Sequence, residues 1–125
     1  MKNETKVLHI GIASRAQMQA RTRAIARGEL RPGPDDPKVW FTSLESLAQV
    51  LSSPNQALLD LIRHARPQSV SALAALAGRE QGNLSRTLRT MERYGLVVLT
   101  KVDQRIVPEV PYERFAVLVS LPKAA

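Results

Sequence analysis

Apolar residues recur at helical spacing through the middle of the chain and gather in short β-branched runs toward both ends. The run 7–12 predicts a strand, and Ser14 is a suitable N-cap for a helix that ends at Gly28. The apolar stripe of this helix consists mostly of alanine, which is too thin to support an independent domain. We therefore expect this segment to pack on the rest of the chain or across a dimer.

Residues 31–37 interrupt the pattern, because they include three prolines, a glycine and two aspartates. Such a composition predicts a linker or an ordered loop. It divides the chain into an N-terminal arm with a Pro-rich linker, residues 1–37, and a main domain, residues 38–125.

The main domain begins with a short extended segment, residues 39–41, and two helices. Thr42 and Glu45 match a capping box at the start of the first helix. Ser53 followed by Pro54 matches the N-cap and first position of the second helix.

Two more helices follow with only a glycine turn between them. Ser69 can cap a short helix that ends at Gly78, where a left-handed turn favours glycine. The next helix is predicted from about Gln81 to Tyr94, and Gly95 terminates it. Its apolar face consists of Leu84, Leu88 and Met91.

Beyond this helix the pattern changes to strands. Residues 96–100 and 105–107 flank the turn 103–104 and predict a hairpin, and residues 115–119 predict a further strand. A short helix, a glycine turn, an amphipathic helix and a hairpin, in this order, are typical of a winged helix-turn-helix. The predicted fold class is α+β, mainly α: a winged helix-turn-helix with an N-terminal strand-helix extension.

The formal net charge of +7 favours a polyanionic partner, most commonly nucleic acid, although a membrane surface or a merely solubilising surface would also fit this charge. In a winged helix-turn-helix, the second helix of the motif enters the major groove of double-stranded DNA. Asn can pair with adenine and Arg with guanine, so the polar face of this helix has suitable groups. The residues that we expect to face DNA there are Gln81, Gly82, Asn83, Ser85, Arg86, Arg89 and Arg93. From the turn and the hairpin, or wing, we expect contacts by Arg79, Lys101, Gln104 and Arg105.

Two residues depart from the usual recognition helix. Glu80 stands where Ser, Thr or Asp usually caps, and its carboxylate would repel phosphate unless it caps the helix. Gly82 weakens the first turn by up to about 1 kcal/mol relative to Ala, although it also permits close approach of the backbone. The arginines of the N-terminal helix form either a solvated surface or a second contact with the DNA backbone. They are Arg15, Arg21, Arg23 and Arg27.

The sequence offers little support for disulfides, metal sites or catalysis. The chain has no cysteine, which excludes disulfides and thiolate metal sites, and its two histidines, His9 and His64, lack partners at ligand spacing. His64, near a helix C-terminus, is best read as a surface residue favoured by the helix dipole. We expect no enzymatic activity, no cofactor and no metal. The chain shows neither a signal peptide nor an apolar span, so we expect a cytoplasmic location and no membrane partner.

The segments 73–78, 83–88 and 91–97 resemble the winged-helix core of MarR-like and ArsR-like bacterial regulators, over about residues 53–107. With Phe41, Ser43 and Glu45 at the start and residues 110–112 before the last strand, the chain is also similar to small predicted transcriptional regulators, some of them antitoxin-like. The resemblance implies sequence-specific binding of double-stranded DNA by a homodimer at a palindromic operator, often with autoregulation. We therefore expect an autoregulating repressor that is associated with the nucleoid. The alternatives are an antitoxin whose arm also binds a toxin protein, and a protein that binds double-stranded RNA.

Overall fold

The computed structural model describes residues 6–121. These residues form five α-helices and two small sheets, so the fold class is α+β, as predicted. The elements in chain order are β1 (Val7–Ile12), α1 (Arg15–Ala26), β2 (Val39–Phe41), α2 (Leu44–Val50), α3 (Ser53–Ala65), α4 (Val70–Ala77), α5 (Gln81–Arg93), β3 (Val98–Val102), β4 (Arg105–Glu109) and β5 (Arg114–Val119).

Two helix starts and one turn lie where the sequence predicts them. Ser14 caps α1 and shares a capping box with Gln17, because each side chain accepts a hydrogen bond from the other residue's backbone N–H. Ser69 caps α4, and Gly78 ends it in the left-handed region with φ 66°. Only glycine adopts this conformation without steric cost, so the tight connection to α5 depends on Gly78.

Two predicted N-caps are wrong by one residue. Ser43, not Thr42, caps α2, and its Oγ accepts a hydrogen bond from the Ser46 N–H at 3.0 Å. Ser52, not Ser53, caps α3. In both places two hydroxyl residues are adjacent, and the cap is the one whose extended backbone aims its oxygen at the N–H three residues ahead.

The first sheet is parallel and has the strand order β2-β1-β5. Its central strand, β1, pairs with β2 after the α1 crossover and with β5 from the end of the chain. Leu8, Ile10 and Ile12 on one face of β1 belong to the buried core. The division into an arm, residues 1–37, and a domain, residues 38–125, stays a prediction, but β1 is hydrogen-bonded on both sides to strands of the second segment.

The second sheet is the antiparallel hairpin of β3 and β4. The hairpin was predicted, but its first strand begins at Val98 and not at residue 96. Leu96 and Val97 are almost completely buried and lead the chain from α5 into the core before pairing begins. Asp103 occupies the turn with φ 56°, a conformation that Asp tolerates better than most residues.

One core joins the helices and the parallel sheet. Leu84, Leu88 and Met91 are fully buried, in the same core as Leu73 of α4. The Phe41 ring stacks on Tyr94 with centroids 4.2 Å apart, which connects β2 to the end of α5. The orientation of α5 is therefore determined by two sets of contacts, those of its buried stripe with the core and the stacking of Tyr94 on Phe41.

Candidate nucleic-acid interface

Helix α5 presents a row of arginines to solvent. Its buried stripe determines which face points outward, because successive residues are rotated by about 100°. Positions 82, 86, 89 and 93 lie opposite that stripe, and their three side chains, Arg86, Arg89 and Arg93, are exposed. We call these three residues the α5 arginine row. Asn83 and Ser85 flank it on either side, and Gln81 is exposed in the first turn.

The hydrogen bonds of the α5 arginine row are made to neutral groups of the same helix. Arg86 donates from Nη2 to Oδ1 of Asn83 at 2.6 Å, and Arg93 donates from Nη2 to Oγ1 of Thr90 at 3.2 Å. Within residues 6–121, no carboxylate forms an ion pair with any member of the row. The row therefore offers three positive charges to an anionic partner.

Glu80 caps α5 in spite of its unusual residue type. Its Oε2 accepts the Gly82 N–H at 2.9 Å and its Oε1 accepts the Asn83 N–H at 2.8 Å. The two backbone N–H groups, followed by the charge of Arg86, lower the pKa of this carboxyl below its ordinary value of 4.5. Since Glu80 occupies these donors, the N-terminus of α5 is not an open phosphate site.

Gly82 makes room for this cap. A Cβ at position 82 would lie 3.0 Å from Oε2 of Glu80, which is tighter than an ordinary contact. The sequence shows that Glu80 and Gly82 are unusual residues for the start of such a helix. Only the structure shows that the two belong to one capping arrangement.

Arg79, from which we expect a contact with DNA in the turn before α5, places its guanidinium against α3. Nη2 donates to the carbonyl oxygen of Pro54 at 3.1 Å, and both terminal nitrogens lie 3.4 Å from Oδ1 of Asn55. Asn55 in turn donates to the carbonyl oxygen of Val50 at 3.0 Å. Arg79 thus connects the turn before α5 to the start of α3, a contact with no signal in the local sequence.

The three predicted wing residues are exposed, but they do not share one face of the hairpin. Lys101 lies opposite Ile106, and Arg105 lies opposite Val102. Because side chains alternate along a strand, Lys101 and Arg105 point to opposite faces. Gln104 lies in the turn between them.

Four arginines lie on α1 and at its C-cap; three of them are exposed, and the fourth forms contacts within the protein. Arg15, Arg23 and Arg27 are exposed. Arg21 donates to Oδ2 of Asp36 at 3.3 Å and lies 5.2 Å from the centroid of the Trp40 ring. The Gly33 N–H, and after it Arg21, lower the pKa of the Asp36 carboxyl. Arg21 therefore orders the loop 31–37.

The two histidines are far apart and each lies near one aspartate. Nδ1 of His64 is 3.1 Å from Oδ1 of Asp60, on the surface, and Nε2 of His9 is 3.8 Å from Oδ1 of Asp35. Residues 6–121 contain no group of three or more His, Cys, Asp or Glu side chains arranged to hold a metal ion. No helix in the same range has the length and hydrophobicity needed to cross a membrane.

Comparison with known proteins identifies the family. Residues 50–117, more than half of the 125-residue chain, match the model of the HVO_A0114 family, so the chain belongs to that family. No protein of curated function matches it. A similar solved structure is the crystal structure of a predicted DNA-binding transcriptional regulator from E. coli, with 21% sequence identity and a TM-score of 0.47, covering 80% of this chain and 86% of that one. This similarity is too low to support an inference about function.

Proposed function

We propose that the protein is a winged helix-turn-helix transcriptional regulator that binds specific sequences in double-stranded DNA. The observation that supports this most directly is the α5 arginine row, which is exposed on the face opposite a completely buried stripe. The row lies on the helix that follows the glycine turn and precedes the β3–β4 hairpin. A recognition helix needs this combination of one anchored face and one basic face.

The dimensions of α5 suit the major groove. Thirteen residues make a helix about 20 Å long, which is enough to follow a groove about 12 Å wide across several base pairs. In this proposal α4 crosses the DNA backbone, and the β3–β4 hairpin is the wing. The buried stripe of α5 packs against α4 and fixes the position of α5. Little conformational entropy is therefore lost when α5 binds DNA.

The proposed roles follow from the position of each side chain along α5. Gln81, Asn83 and Ser85 reach base edges from the first turns, where a recognition helix meets the bases. Arg86 and Arg89 bind base edges or phosphates in the middle, and Arg93 binds the backbone at the far end. Gly82 acts indirectly, by leaving space for the Glu80 cap. Lys101, Gln104 and Arg105 contact the adjacent minor groove or its phosphates, whereas Arg79 acts mainly by positioning the turn.

The finer proposal is an autoregulating repressor that binds a palindromic operator as a homodimer in the cytoplasm, associated with the nucleoid. A single helix of this length reads only a few base pairs. Two copies related by a two-fold axis would read two half-sites and increase both affinity and specificity. The DNA upstream of the protein's own gene is therefore the first operator to test.

The test is a fluorescence anisotropy titration of that upstream DNA beside a random duplex, at two salt concentrations. We expect tight, salt-sensitive binding that prefers the upstream fragment. Arg89→Ala should weaken this binding by about 1–3 kcal/mol, or about 5- to 150-fold. The control is Arg23→Ala, which removes one exposed arginine from α1 and should leave the affinity near that of the wild type.

Two results would contradict the proposal. Weak and equal binding to both duplexes would mean that the positive charge is generic, and a protein partner, such as a toxin, would be the next candidate. An unchanged affinity for the upstream fragment in Arg89→Ala would contradict the assignment of α5 as the reading helix.

A further inference from the structure

The end of β5 exposes a run of large apolar side chains. Val117 is 44% exposed, Leu118 55%, Val119 48% and Leu121, just after the strand, 84%. Four exposed aliphatic residues within five positions, interrupted only by Ser120, are unusual on a small protein and mark a surface that associates with another one. We call residues 115–121 the β5 edge.

The β5 edge also has unpaired backbone groups. In the strand order β2-β1-β5, β5 pairs only with β1, so within the described residues its other side is open. Proteins usually protect such an edge with a charge, a proline or a bulge. Residues 115–121 include no charged residue, proline or glycine; Arg114 comes before them, and Pro122 and Lys123 follow them in the sequence.

Apolar side chains project from both faces of the β5 edge. Val117 and Val119 are paired with Ile10 and Ile12 and so point to the same face as these core residues. Leu118 is paired with Gly11 and points to the other face. A helix or loop packed on one face would leave the other exposed, whereas an added strand brings neighbouring side chains to both.

We propose that the occupant is a second copy of the chain, whose β5 pairs antiparallel with this one to form a continuous six-stranded sheet. The sequence of the edge is self-complementary about Leu118. With a two-fold axis at that position, Val117 lies opposite Val119 of the second copy and Phe115 lies opposite Leu121, so apolar residues meet apolar residues.

The charges favour the antiparallel direction and add no repulsion along residues 115–121. Two copies each carry a net charge of +7 and repel one another over most of their surfaces, but the β5 edge brings no charge into the contact. In the antiparallel arrangement the two Arg114 side chains lie at opposite ends of the paired strands. A parallel pairing in register would place them side by side.

The two-fold axis relates two copies of α5, as the proposed homodimeric regulator requires, and only this link to DNA rests on the proposed function. The inference does not depend on DNA binding, because its test contains no DNA. Light scattering after size-exclusion chromatography of the full chain, at about 10–100 µM, should give twice the 13.8 kDa mass of one chain. Arg89→Ala should remain dimeric, which separates this inference from the function of α5.

The decisive variant is Leu118→Lys, which introduces a charge at the proposed axis and should give a monomer. Its control is Leu44→Lys, because Leu44 on α2 is 54% exposed, nearly the same as Leu118, and this variant should stay dimeric. Circular dichroism of both variants verifies that they are folded. A monomeric wild type, or a dimer that persists in folded Leu118→Lys, would overturn the proposal.

A cross-link tests the pairing itself and does not depend on disruptive mutations. The chain has no cysteine, so a single Leu118→Cys can form a disulfide only between two copies. Directly opposite residues in antiparallel strands have Cα atoms about 4.5–5.5 Å apart, which is within the range of a disulfide. Mild oxidation should cross-link most of Leu118→Cys and little of Leu44→Cys. Equal cross-linking of the two variants would mean random collision and would contradict the pairing.

Discussion

Glu80 and Gly82 act together at the start of α5. A glutamate is longer than the usual capping residues, so its carboxylate needs space beside the first turn to reach two N–H groups. Gly82 leaves that space, and its own N–H is one of the two donors. The arrangement also places a negative charge at the positive end of the helix dipole, where it is stabilising. The weakness that Gly82 introduces is thus offset by the cap.

The lowered pKa of Glu80 predicts a pH dependence of stability. The folded state favours the ionised carboxylate, so its stabilisation is present above the ordinary value of 4.5 and is lost as pH falls through the lower folded pKa. In Glu80→Gln the side chain at position 80 has no ionisable carboxyl group, so this contribution to stability is absent at every pH. The melting temperatures of the wild type and Glu80→Gln should therefore differ most at pH 5–7 and converge toward pH 3 in thermal unfolding.

Glu92→Gln is the control for this experiment, because it removes one exposed negative charge from the same helix without touching the cap. A constant difference between the wild type and Glu80→Gln across the whole pH range would show that the carboxylate does not act through its ionisation.

At the scale of single elements, the helices that carry the candidate site could be predicted well and the strands less well. The stripe of Leu84, Leu88 and Met91, between glycines at 78 and 95, is a local pattern, and it locates α5 within a residue of its bounds. Residues 96–97 have the composition of a strand, but they are buried as a connection between α5 and β3. Composition alone does not distinguish burial from strand pairing, so the start of β3 was predicted too early.

The β3–β4 hairpin provides a prediction for the proposed wing. If Arg105 binds a phosphate, Arg105→Ala should lower the slope of log K against log salt concentration by about 0.9 in magnitude. The preference for the upstream fragment should be retained, because a phosphate contact carries no sequence information. Anisotropy titrations at four or more salt concentrations measure both quantities.

Arg23→Ala is again the matched loss of one exposed arginine and should keep the wild-type slope. A change of sequence preference in Arg105→Ala, with an unchanged slope, would instead place Arg105 on a base edge. If Arg105→Ala changes neither the salt slope nor the sequence preference, Arg105 is not part of the DNA interface.

At the scale of the whole molecule, the parallel sheet joins segments that are distant in the sequence. β1 pairs with β5, about a hundred residues later, and the loop before β2 is held by Arg21, Asp36 and Trp40. The sequence predicts each strand from its own composition, but it provides no local signal for which strands pair. The same reason explains why the contact of Arg79 with α3 was not predicted.

The substitution Gly11→Ala tests whether this sheet and the helices unfold as one unit. A Cβ at position 11 would overlap the Trp40 ring and lie 2.9 Å from Pro37, so Gly11→Ala forces β2 and its loop to shift. We expect a loss of about 1–3 kcal/mol in the free energy of unfolding, typical of overpacking. Gly33→Ala, where a Cβ would meet nothing within 4 Å, is the control and should change stability by less than about 0.5 kcal/mol.

Urea unfolding of Gly11→Ala should be followed by two signals at one protein concentration, since association also affects stability. Trp40, the one tryptophan in the chain, reports on the sheet, and circular dichroism reports on the helices. Because one core contains residues of both, the two transitions should coincide and shift together. If fluorescence shifts while circular dichroism keeps its wild-type midpoint, the sheet unfolds separately from the helices, and the two are not one cooperative unit.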